Sequence, residues 1–233
     1  MLTVDLERLG VAPGDWLLDA GCGGGRHCFG ALDRGVNVIG LDLDPEGLQI
    51  ARAGIHERRA RGAGGVLQGN VFSLPFRDNR FDRVVCSEVM EHVHDYRGAV
   101  RELVRVLRPG GTMGITIPTA SSEVLYFHLT RDYFESPGGH IRIFSPRVLA
   151  RAMADAGLRV EGVGFAHALH TPYWGLRSVL GLHDESPGPV RSYRKFLMYA
   201  SMSPGWARVE RWLDRVWPKS LILYGRRTAR GVA

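Results

Sequence analysis

The amino-acid sequence predicts an α/β fold in which a doubly wound, mostly parallel seven-stranded sheet carries an inserted helical cover. The first observation is that short apolar runs of strand length alternate with helix-compatible segments along most of the chain. Such alternation predicts parallel strands, because each crossover helix returns the chain to the same edge of the sheet. The second observation is a glycine cluster, residues 21–25, directly after the first apolar run. Ligands in such sheets lie beyond the carboxyl ends of the strands, so the cluster also predicts where a ligand binds.

Seven apolar or alternating runs are predicted to form the strands. In chain order they cover residues 16–20, 37–42, 65–70, 81–86, 112–117, 159–166 and 221–224. Pro118 follows the fifth run. Proline is typical of a strand end, because it lacks the amide hydrogen that a sheet ladder needs.

The helices between the strands are predicted from capping residues and apolar spacing. A helix over residues 26–34 follows the glycine cluster, and Pro45 opens the next helix, because proline fits the first helical turn. Apolar residues recur at helical spacing after Asp95, which is the expected N-cap. Pro146 follows a serine cap, and Gly157 ends that helix.

The length indicates a single domain over residues 1–233, since one core can serve a chain of this size. Two stretches, 119–142 and 170–219, lie outside the strand–helix units and are predicted to be insertions that cover the acceptor site. The second stretch holds eight aromatic residues among basic ones. The favoured interpretation is that these aromatic residues form the core of the inserted helices. A pocket for an aromatic or isoprenoid acceptor, a membrane contact and a dimer contact are the alternatives.

The composition is that of an ordinary globular protein, with 45% hydrophobic and 23% charged residues. No apolar run approaches the roughly 18 residues that cross a bilayer, and the amino terminus lacks a basic-then-apolar signal. Cys22, Cys28 and Cys86 are too few and too irregularly spaced for a disulfide framework or a four-thiolate zinc site. A cytoplasmic location is therefore expected.

Basic charge is concentrated near the carboxyl terminus. Residues 170–233 hold 11 Arg and Lys against 4 Asp and Glu, and the whole chain carries a net charge of +6. Such a surface could meet phosphates, anionic lipid or an acidic substrate. The charges are scattered rather than run together, so a solvated surface is the favoured interpretation.

The glycine cluster and an acid about 20 residues later predict a nucleoside-binding site. Glycines let the backbone approach a ligand closely, and the following helix directs free amides toward it. Asp42, at the end of the second predicted strand, is placed to accept hydrogen bonds from both hydroxyls of a ribose. Dinucleotide enzymes share both features, so these residues alone leave a nicotinamide cofactor open.

The acid just before the glycine cluster helps to distinguish a nicotinamide site from another kind of nucleoside-binding site. Residues 18–25, Leu-Asp-Ala-Gly-Cys-Gly-Gly-Gly, resemble motif I of the class I S-adenosylmethionine-dependent methyltransferases, in which an acid precedes the first glycine. The dinucleotide fingerprint requires no such acid. Residues 68–76, 81–85 and 107–111 and the last two strands also resemble that family, in its order. The resemblance covers about residues 10–165 and implies a Rossmann-like methyltransferase sheet with S-adenosyl-L-methionine as cofactor.

The resemblance also implies which residues hold the cofactor. Asp19 and the glycines would bind its methionine end, Asp42 its ribose, and the loop at Asn70 would flank its adenine. The implied cofactor-binding set is Asp19, Gly21, Cys22, Gly23, Asp42, Leu43, Asn70, Val71 and Glu88. The family usually has aspartate at position 70. The Asn70 oxygen can still accept from the adenine amino group but loses the charge assistance, so weaker binding is expected there.

The segment after the fourth strand carries the candidate chemistry. In a helical turn, Glu88, Glu91 and His92 share one face and could hold a divalent cation such as Mg²⁺. This pattern resembles the Glu-x-x-Glu-His of the ubiquinone-pathway O-methyltransferases and of the metal-dependent RNA 2′-O-methyltransferases. The alternative is that Glu91 and His92 only fix the loop by hydrogen bonds. His92 and His140 are the candidate catalytic bases near neutral pH, and His140 is also a candidate extra ligand.

The predicted function is O-methylation of a small, partly apolar metabolite of the phenol or quinol type. RNA 2′-O-methylation and C- or N-methylation of a small metabolite are the alternatives. The pI of about 9.6 favours RNA, whereas Ser-Glu-Val after the fourth strand lacks the Asn/Asp-Pro-Pro-aromatic of base amino-methylating enzymes. A small-molecule acceptor is the expected partner and nucleic acid is disfavoured. A homodimer and a peripheral membrane contact are left open.

Overall fold

The computed structural model describes residues 2–130, 139–181 and 188–228. Seven strands in this part of the chain form one sheet. They are β1 (Trp16–Ala20), β2 (Asn37–Asp42), β3 (Gly64–Gln68), β4 (Phe81–Ser87), β5 (Leu107–Pro118), β6 (Leu158–Ala166) and β7 (Ser220–Arg227). Their spatial order is β3-β2-β1-β4-β5-β7-β6. Only the pairings of β7 with β5 and β6 are antiparallel, so the predicted doubly wound, mostly parallel seven-stranded sheet is confirmed.

Four of the described helices lie where capping residues and apolar spacing predict them; a short helix before β1, one helix in the first insertion and three in the second insertion were not predicted individually. The described helices are α1 (Leu6–Leu9), α2 (Arg26–Leu32), α3 (Pro45–Glu57), α4 (Tyr96–Val106), α5 (Ala120–Leu129), α6 (Pro146–Asp155), α7 (His170–Leu180), α8 (Gly188–Met202) and α9 (Pro204–Leu213). The predicted cap at Asp95 is present, since the Gly98 amide donates to its carboxylate over 2.8 Å. Such a bond satisfies an amide that the helix start leaves free.

Helices cover both faces of the sheet and bury a separate apolar core on each. Leu103 of α4 and Leu149 of α6 belong to one core, and Leu32 of α2 and Leu48 of α3 belong to the other. The strand order reverses beside β1, whose neighbours are β2 and β4. The crossovers therefore diverge at this point and leave a crevice at the carboxyl ends of the strands, which is where such folds bind ligands.

Several local predictions differ from the structure. The fifth strand begins at Leu107 rather than at residue 112, because Leu107 already pairs with Phe81; residues 108–111 then form an irregularity before Thr112 pairs with Arg83. A helical turn beginning at Glu88 does not form. Glu88 has a left-handed backbone with φ 56°, and the short 3₁₀ helix starts only at Met90.

The described parts of the two insertions are helical and pack together. The Tyr126 hydroxyl of α5 donates to the carbonyl of Thr171 in α7 over 3.2 Å. Phe196 of α8 meets Trp206 of α9 edge to face, with ring centroids 4.9 Å apart. Residues 131–138 and 182–187 of the insertions lie outside the described residues. Among the helices that the structure describes, none combines the length and the apolar character that a bilayer crossing requires.

Candidate active site

A cavity of about 520 Å³ opens at the carboxyl ends of β1, β2 and β4, where the strand order reverses. A volume of this size is ordinary for a pocket that binds a small molecule or cofactor. Its lining residues come from the segments that follow these strands and β3. They are Gly21, Gly23, Leu41, Asp42, Leu43, Gly69, Asn70, Val71, Phe72, Glu88, Val89, His92, Val93 and His94.

The glycine turn after β1 has a backbone that side chains would prevent. Gly21 has φ 80° and Gly23 has φ 47°, both in the left-handed region that favours glycine. A Cβ on Gly21 would overlap the Cγ2 methyl of Val89. The amides of Gly21 and Cys22 both donate to the Leu41 carbonyl, over 2.7 and 3.1 Å. These two hydrogen bonds hold the turn against the end of β2. Because Gly21 has no side chain, none projects from it into the cavity.

The acid at the end of β2 lies at the cavity wall and holds two backbone segments together. One carboxylate oxygen of Asp42 accepts from the Gly23 amide over 2.7 Å, and the other accepts from the Asp44 amide over 2.9 Å. Leu43 is largely exposed beside it. Carboxylate oxygens have further lone pairs, so Asp42 can also accept from hydroxyls of a ligand in the cavity.

The loop after β3 forms the opposite wall. Asn70 lines the cavity, and its side-chain oxygen accepts from the Phe72 amide over 3.0 Å. The Asn70 carbonyl accepts from the Ser73 amide over 3.2 Å, which tightens the turn. Val71 and the half-exposed Phe72 add apolar surface to this wall. This wall therefore offers a ligand both apolar surface and the polar Asn70 side chain.

Two residues of the predicted cofactor-binding set lie beneath the cavity and do not line it. The Asp19 side chain is fully buried, with one oxygen 3.5 Å from the Cys28 sulfur and the other 3.8 Å from His27 Nδ1. Burial raises the pKa of Asp19 to about 7. Cys22 is buried too, and its sulfur lies against Gly40 of β2. Their roles at the cofactor stay predictions, and neither side chain reaches the cavity wall.

Glu88 lines the cavity but does not join the acid–histidine cluster that its spacing predicted. Its two carboxylate oxygens are held by the Thr116 hydroxyl over 2.8 Å and by Lys219 Nζ over 2.9 Å. Burial acts to raise the pKa of Glu88, but Lys219, Thr116 and Arg26 together hold it below its ordinary value. The left-handed backbone at Glu88 is the physical reason for the difference, because it ends the strand before any helical turn begins.

Lys219 is a site residue that sequence reasoning missed. It lies 131 positions after Glu88 in the chain, just before β7, and its carbonyl also accepts from the amide of Thr119 over 2.8 Å. β7 lies beside β5, which brings Lys219 to the carboxyl end of the parallel strands. The sequence offered no signal for this pairing, because it depends on the place of β7 in the sheet.

A histidine cluster forms beside the cavity. One potential ligand atom from each of Glu91, His92 and His140 lies within 4.8 Å of the others. The rings of His92 and His140 meet edge to face at 4.8 Å, and His92 Nδ1 is 3.2 Å from the Gly139 carbonyl. The two candidate catalytic bases are thus brought together, although only His92 lines the cavity. Burial and the neighbouring His140 lower the pKa of His92, which favours its neutral form.

Glu123, which the sequence did not single out, anchors His140. His140 Nδ1 lies 2.6 Å from the Glu123 carboxylate, which is almost fully buried at the start of α5. A carboxylate that holds one imidazole nitrogen fixes the tautomer and leaves the other nitrogen to exchange a proton. The acid of a histidine–carboxylate dyad has no local signature here, since Glu123 and His140 are 17 positions apart.

Glu91 is buried at the centre of this cluster. Its side chain is 1% exposed, and neither carboxylate oxygen has a hydrogen-bond partner among the described residues. Burial, reinforced by the negative Glu88, raises the pKa of Glu91 well above its ordinary value and favours a neutral carboxyl group. A buried polar group of this kind is costly, so Glu91 is either protonated or satisfied by a bound group.

The comparisons with known proteins agree with this geometry. Residues 18–115 match the family described as "Methyltransferase domain". A ubiquinone biosynthesis O-methyltransferase of Alkalilimnicola ehrlichii is 40% identical over 106 residues, covering 45% of this chain and 42% of that protein. An uncharacterized 37.1 kDa protein in a transposon of Streptomyces fradiae is 31% identical over 231 residues, covering 92% of this chain and 61% of that protein.

A solved structure extends the comparison to the whole fold. A putative methyltransferase of Bacillus halodurans superposes with a TM-score of 0.66 at 20% identity, covering 97% of this chain and 99% of that chain. The chain spans less than two thirds of the length of the curated relatives named above. The matched domain, the sheet order and the cavity after β1 agree with the resemblance found in the sequence. Residues 18–115 therefore resemble a methyltransferase domain, and the described sheet has the fold and strand order of the class I S-adenosylmethionine-dependent methyltransferases.

Proposed function

We propose that this protein binds S-adenosylmethionine and transfers its methyl group to a hydroxyl of a small, partly apolar molecule, such as a phenol or quinol. The main support for this proposal is the Glu123–His140 dyad, whose histidine contacts His92 at the wall of the cavity. A base in that position removes a hydroxyl proton as the oxygen attacks. The similarity to a ubiquinone biosynthesis O-methyltransferase supports the same class of acceptor.

The residues of the cavity fit the cofactor. Gly21 and Gly23 leave backbone space after β1, Asp42 can accept from ribose hydroxyls, and Asn70 and Val71 can flank the adenine. The sulfonium cofactor supplies a methyl group on an activated thioether leaving group. The protein then has only to bind the cofactor, to align the acceptor with the methyl and to take up a proton.

The acceptor is proposed to be partly apolar because of the side chains near the dyad. Phe127 lies one helical turn after Glu123 and is about half exposed, and Ile141, next to His140, is similarly exposed. Val89 and Val93 line the adjoining wall of the cavity. An apolar or aromatic group that covers such side chains gains about 25 cal/mol for each Å² removed from water.

The proton uptake is assigned to His140 and His92. Glu123 orients the His140 ring through Nδ1, and the neutral form of His92, in contact with that ring, lies at the cavity wall where the hydroxyl proton is taken up. A divalent cation held by Glu91, His92 and His140 is the second candidate for activating the hydroxyl; because this set holds two imidazoles, a transition metal suits it better than the Mg²⁺ expected from the sequence. The cation is favoured by the two unpartnered oxygens of Glu91.

The test is a turnover assay with methyl-labelled S-adenosylmethionine and a panel of phenols, quinols and RNAs, with and without a chelator. We expect a labelled O-methyl product from a small phenol or quinol that persists in the chelator. Loss of product in the chelator would mean that a bound cation, and not a histidine, activates the hydroxyl. Label in RNA, with affinity that falls steeply as salt rises, would replace the small acceptor by the RNA alternative.

Calorimetry separates cofactor binding from the choice of acceptor. We expect the wild-type chain to bind S-adenosylmethionine or its demethylated product, and Asp42→Ala to bind about 10 to 100 times more weakly, because hydrogen bonds to a charged carboxylate are lost. If the wild-type chain binds neither compound, the proposed activity is wrong whatever acceptors are offered.

A further inference from the structure

A second cavity, of about 320 Å³, lies beside the end of β6 and shares no lining residue with the first. Its walls come from the chain before and within α1, the end of β6, the residues after it, and α9. The lining residues are Leu2, Thr3, Val4, Asp5, Leu6, Arg34, Phe165, Ala166, His167, Ala207, Glu210, Arg211 and Asp214. Nothing in the proposed methyl transfer uses this cavity.

Two histidines and a carboxylate converge at its inner wall. His167 follows β6, His170 is the first residue of α7, and Glu210 lies on α9. One potential ligand atom from each lies within 4.8 Å of the others. The two imidazole rings are 4.8 Å apart between centroids, and His170 Nδ1 is 3.8 Å from a Glu210 oxygen. These separations exceed hydrogen-bond distances.

The polar atoms of this cluster are buried without partners. Among the described residues, His167 Nδ1, His170 Nδ1 and one oxygen of Glu210 have no hydrogen-bond acceptor or donor. His167 is 6% and Glu210 is 4% exposed. Leaving such groups unsatisfied destabilises the folded state, because the hydrogen bonds that they make to water in the unfolded chain are not replaced. Three of them facing one another therefore point to a bound group that the three side chains share.

The surroundings prepare His167 to act as a ligand. Its Nε2 lies 2.9 Å from the Thr3 hydroxyl, and a hydrogen bond donated there leaves the lone pair on Nδ1. An outer hydrogen-bond partner of this kind usually orients a metal-bound histidine. The Asp214 carboxylate accepts from the Ala168 amide over 2.8 Å and fixes the segment between the two histidines.

The backbone at His167 supports the same interpretation. His167 has φ 68°, a left-handed conformation that is uncommon and strained for a residue with a side chain. The strain places its ring within reach of His170, only three positions later, and of α9. Shared ligation of one ion by the three side chains would offset this cost.

We propose that His167, His170 and Glu210 bind one divalent transition-metal ion of the Zn²⁺ class. Two imidazoles and one carboxylate suit zinc, whereas Mg²⁺ and Ca²⁺ prefer oxygen ligands alone. Tetrahedral ligands at zinc distances lie roughly 3.3 Å apart, so the side chains close by about an ångström. The three protein ligands leave one position toward the cavity for water or a small anion. The ion joins the end of β6 to α9 and so fastens the second insertion to the sheet.

The first test is zinc titration of the metal-stripped full-length chain by calorimetry, with the metal content measured after dialysis. We expect one Zn²⁺ per chain at this site and no comparable binding of Mg²⁺. Glu210→Gln keeps the shape of the side chain but removes its charge, and His170→Ala removes a partly exposed ligand. Each variant is expected to weaken zinc binding about tenfold or more, with an unchanged circular dichroism spectrum.

The matched control separates this cluster from the one beside the first cavity. The double variant His92→Ala/His140→Ala removes two histidines there and should keep the zinc affinity of the wild type. Zinc should also raise the melting temperature of the wild type and of this control but not that of Glu210→Gln, because only a folded site gains from the ion. Absence of stoichiometric zinc, or equal affinity in Glu210→Gln, His170→Ala and the wild type, would overturn the assignment.

Discussion

The tips of β1 and β2 and the inserted cover build their sites in different ways. At the tips, the groups that face the cavity follow directly after strands, and the backbone sets its shape through glycines and the contact of Gly23 with Asp42. In the cover, the candidate groups come from distant positions, as Glu123 and His140 do, and meet only through side chains. We infer that the first region is sensitive to an added methyl group, whereas the second is sensitive to the loss of a polar partner.

The largest effect is expected for Gly21→Ala. The new methyl overlaps the Cγ2 methyl of Val89, and the left-handed backbone is strained for alanine. We expect calorimetry to detect no binding of S-adenosylmethionine. Gly24→Ala is the matched control in the same turn, because its Cβ would make only an ordinary contact of 3.6 Å with Ile50. Equal affinity in the two variants would show that the backbone does not set the shape of the cavity.

The next largest effect is expected on the rate of methyl transfer, when the Glu123–His140 pair is disrupted. His140→Ala, and also Glu123→Gln, should lower the rate of methyl transfer about 10²- to 10⁴-fold, the usual contribution of a positioned base. Cofactor affinity should stay unchanged, because neither side chain lines the cavity. Single-turnover rates and calorimetry measure the two quantities. His128→Ala, on the exposed side of α5, is the control, and a rate as low in it as in His140→Ala would contradict the dyad.

A smaller effect concerns the pH dependence of stability. The folded chain holds the Asp19 proton up to about pH 7, whereas the unfolded chain loses it near the ordinary pKa of 3.8. The folded state thus binds more protons between these values, so the free energy of unfolding falls as pH rises through this window and levels off above it. The shift of about three pKa units corresponds to at most about 4 kcal/mol.

Asp19→Asn removes this proton and should flatten the decline. Denaturant unfolding from pH 4 to pH 8 measures the free energy of unfolding of both chains. The difference, variant minus wild type, should grow as pH rises through the window. Asp33→Asn, at a half-exposed carboxylate, is the control and should follow the wild type. Parallel curves for Asp19→Asn and the wild type would mean that Asp19 is ionised in the folded chain.

The smallest effect is expected at Asn70, in the loop after β3 that is proposed to flank the adenine. The side-chain oxygen of Asn70 already accepts from the Phe72 amide. Asn70→Asp keeps that bond and adds a charged oxygen toward the cavity, so we expect cofactor binding about three to ten times tighter. Calorimetry with a cofactor analogue that lacks the exocyclic amine is the control, because the gain should vanish there. A gain that persists with the analogue would place the adenine elsewhere.

The sequence by itself determined the elements whose signals are local. The bounds of β1 and β2, the glycine turn between β1 and α2, and the Asp95 cap follow from hydrophobic period and from the conformational preferences of single residues. The cavity residues Gly21, Asp42 and Asn70 could be predicted for the same reason, because they lie at or within two positions of strand ends. The methyltransferase resemblance then identified the class of ligand.

Only the tertiary structure decided which distant side chains meet. Glu88 does not lie in its predicted cluster, because its backbone is left-handed and because Lys219, just before β7, binds its carboxylate. The pairing of Glu123 with His140 depends on how the first insertion folds back. His167 and His170, spaced His-x-x-His at the start of α7, meet Glu210 only through the packing of α9. Hydrophobic period and capping act over a few residues, whereas such pairings depend on loop closure over tens of residues, which no local pattern encodes.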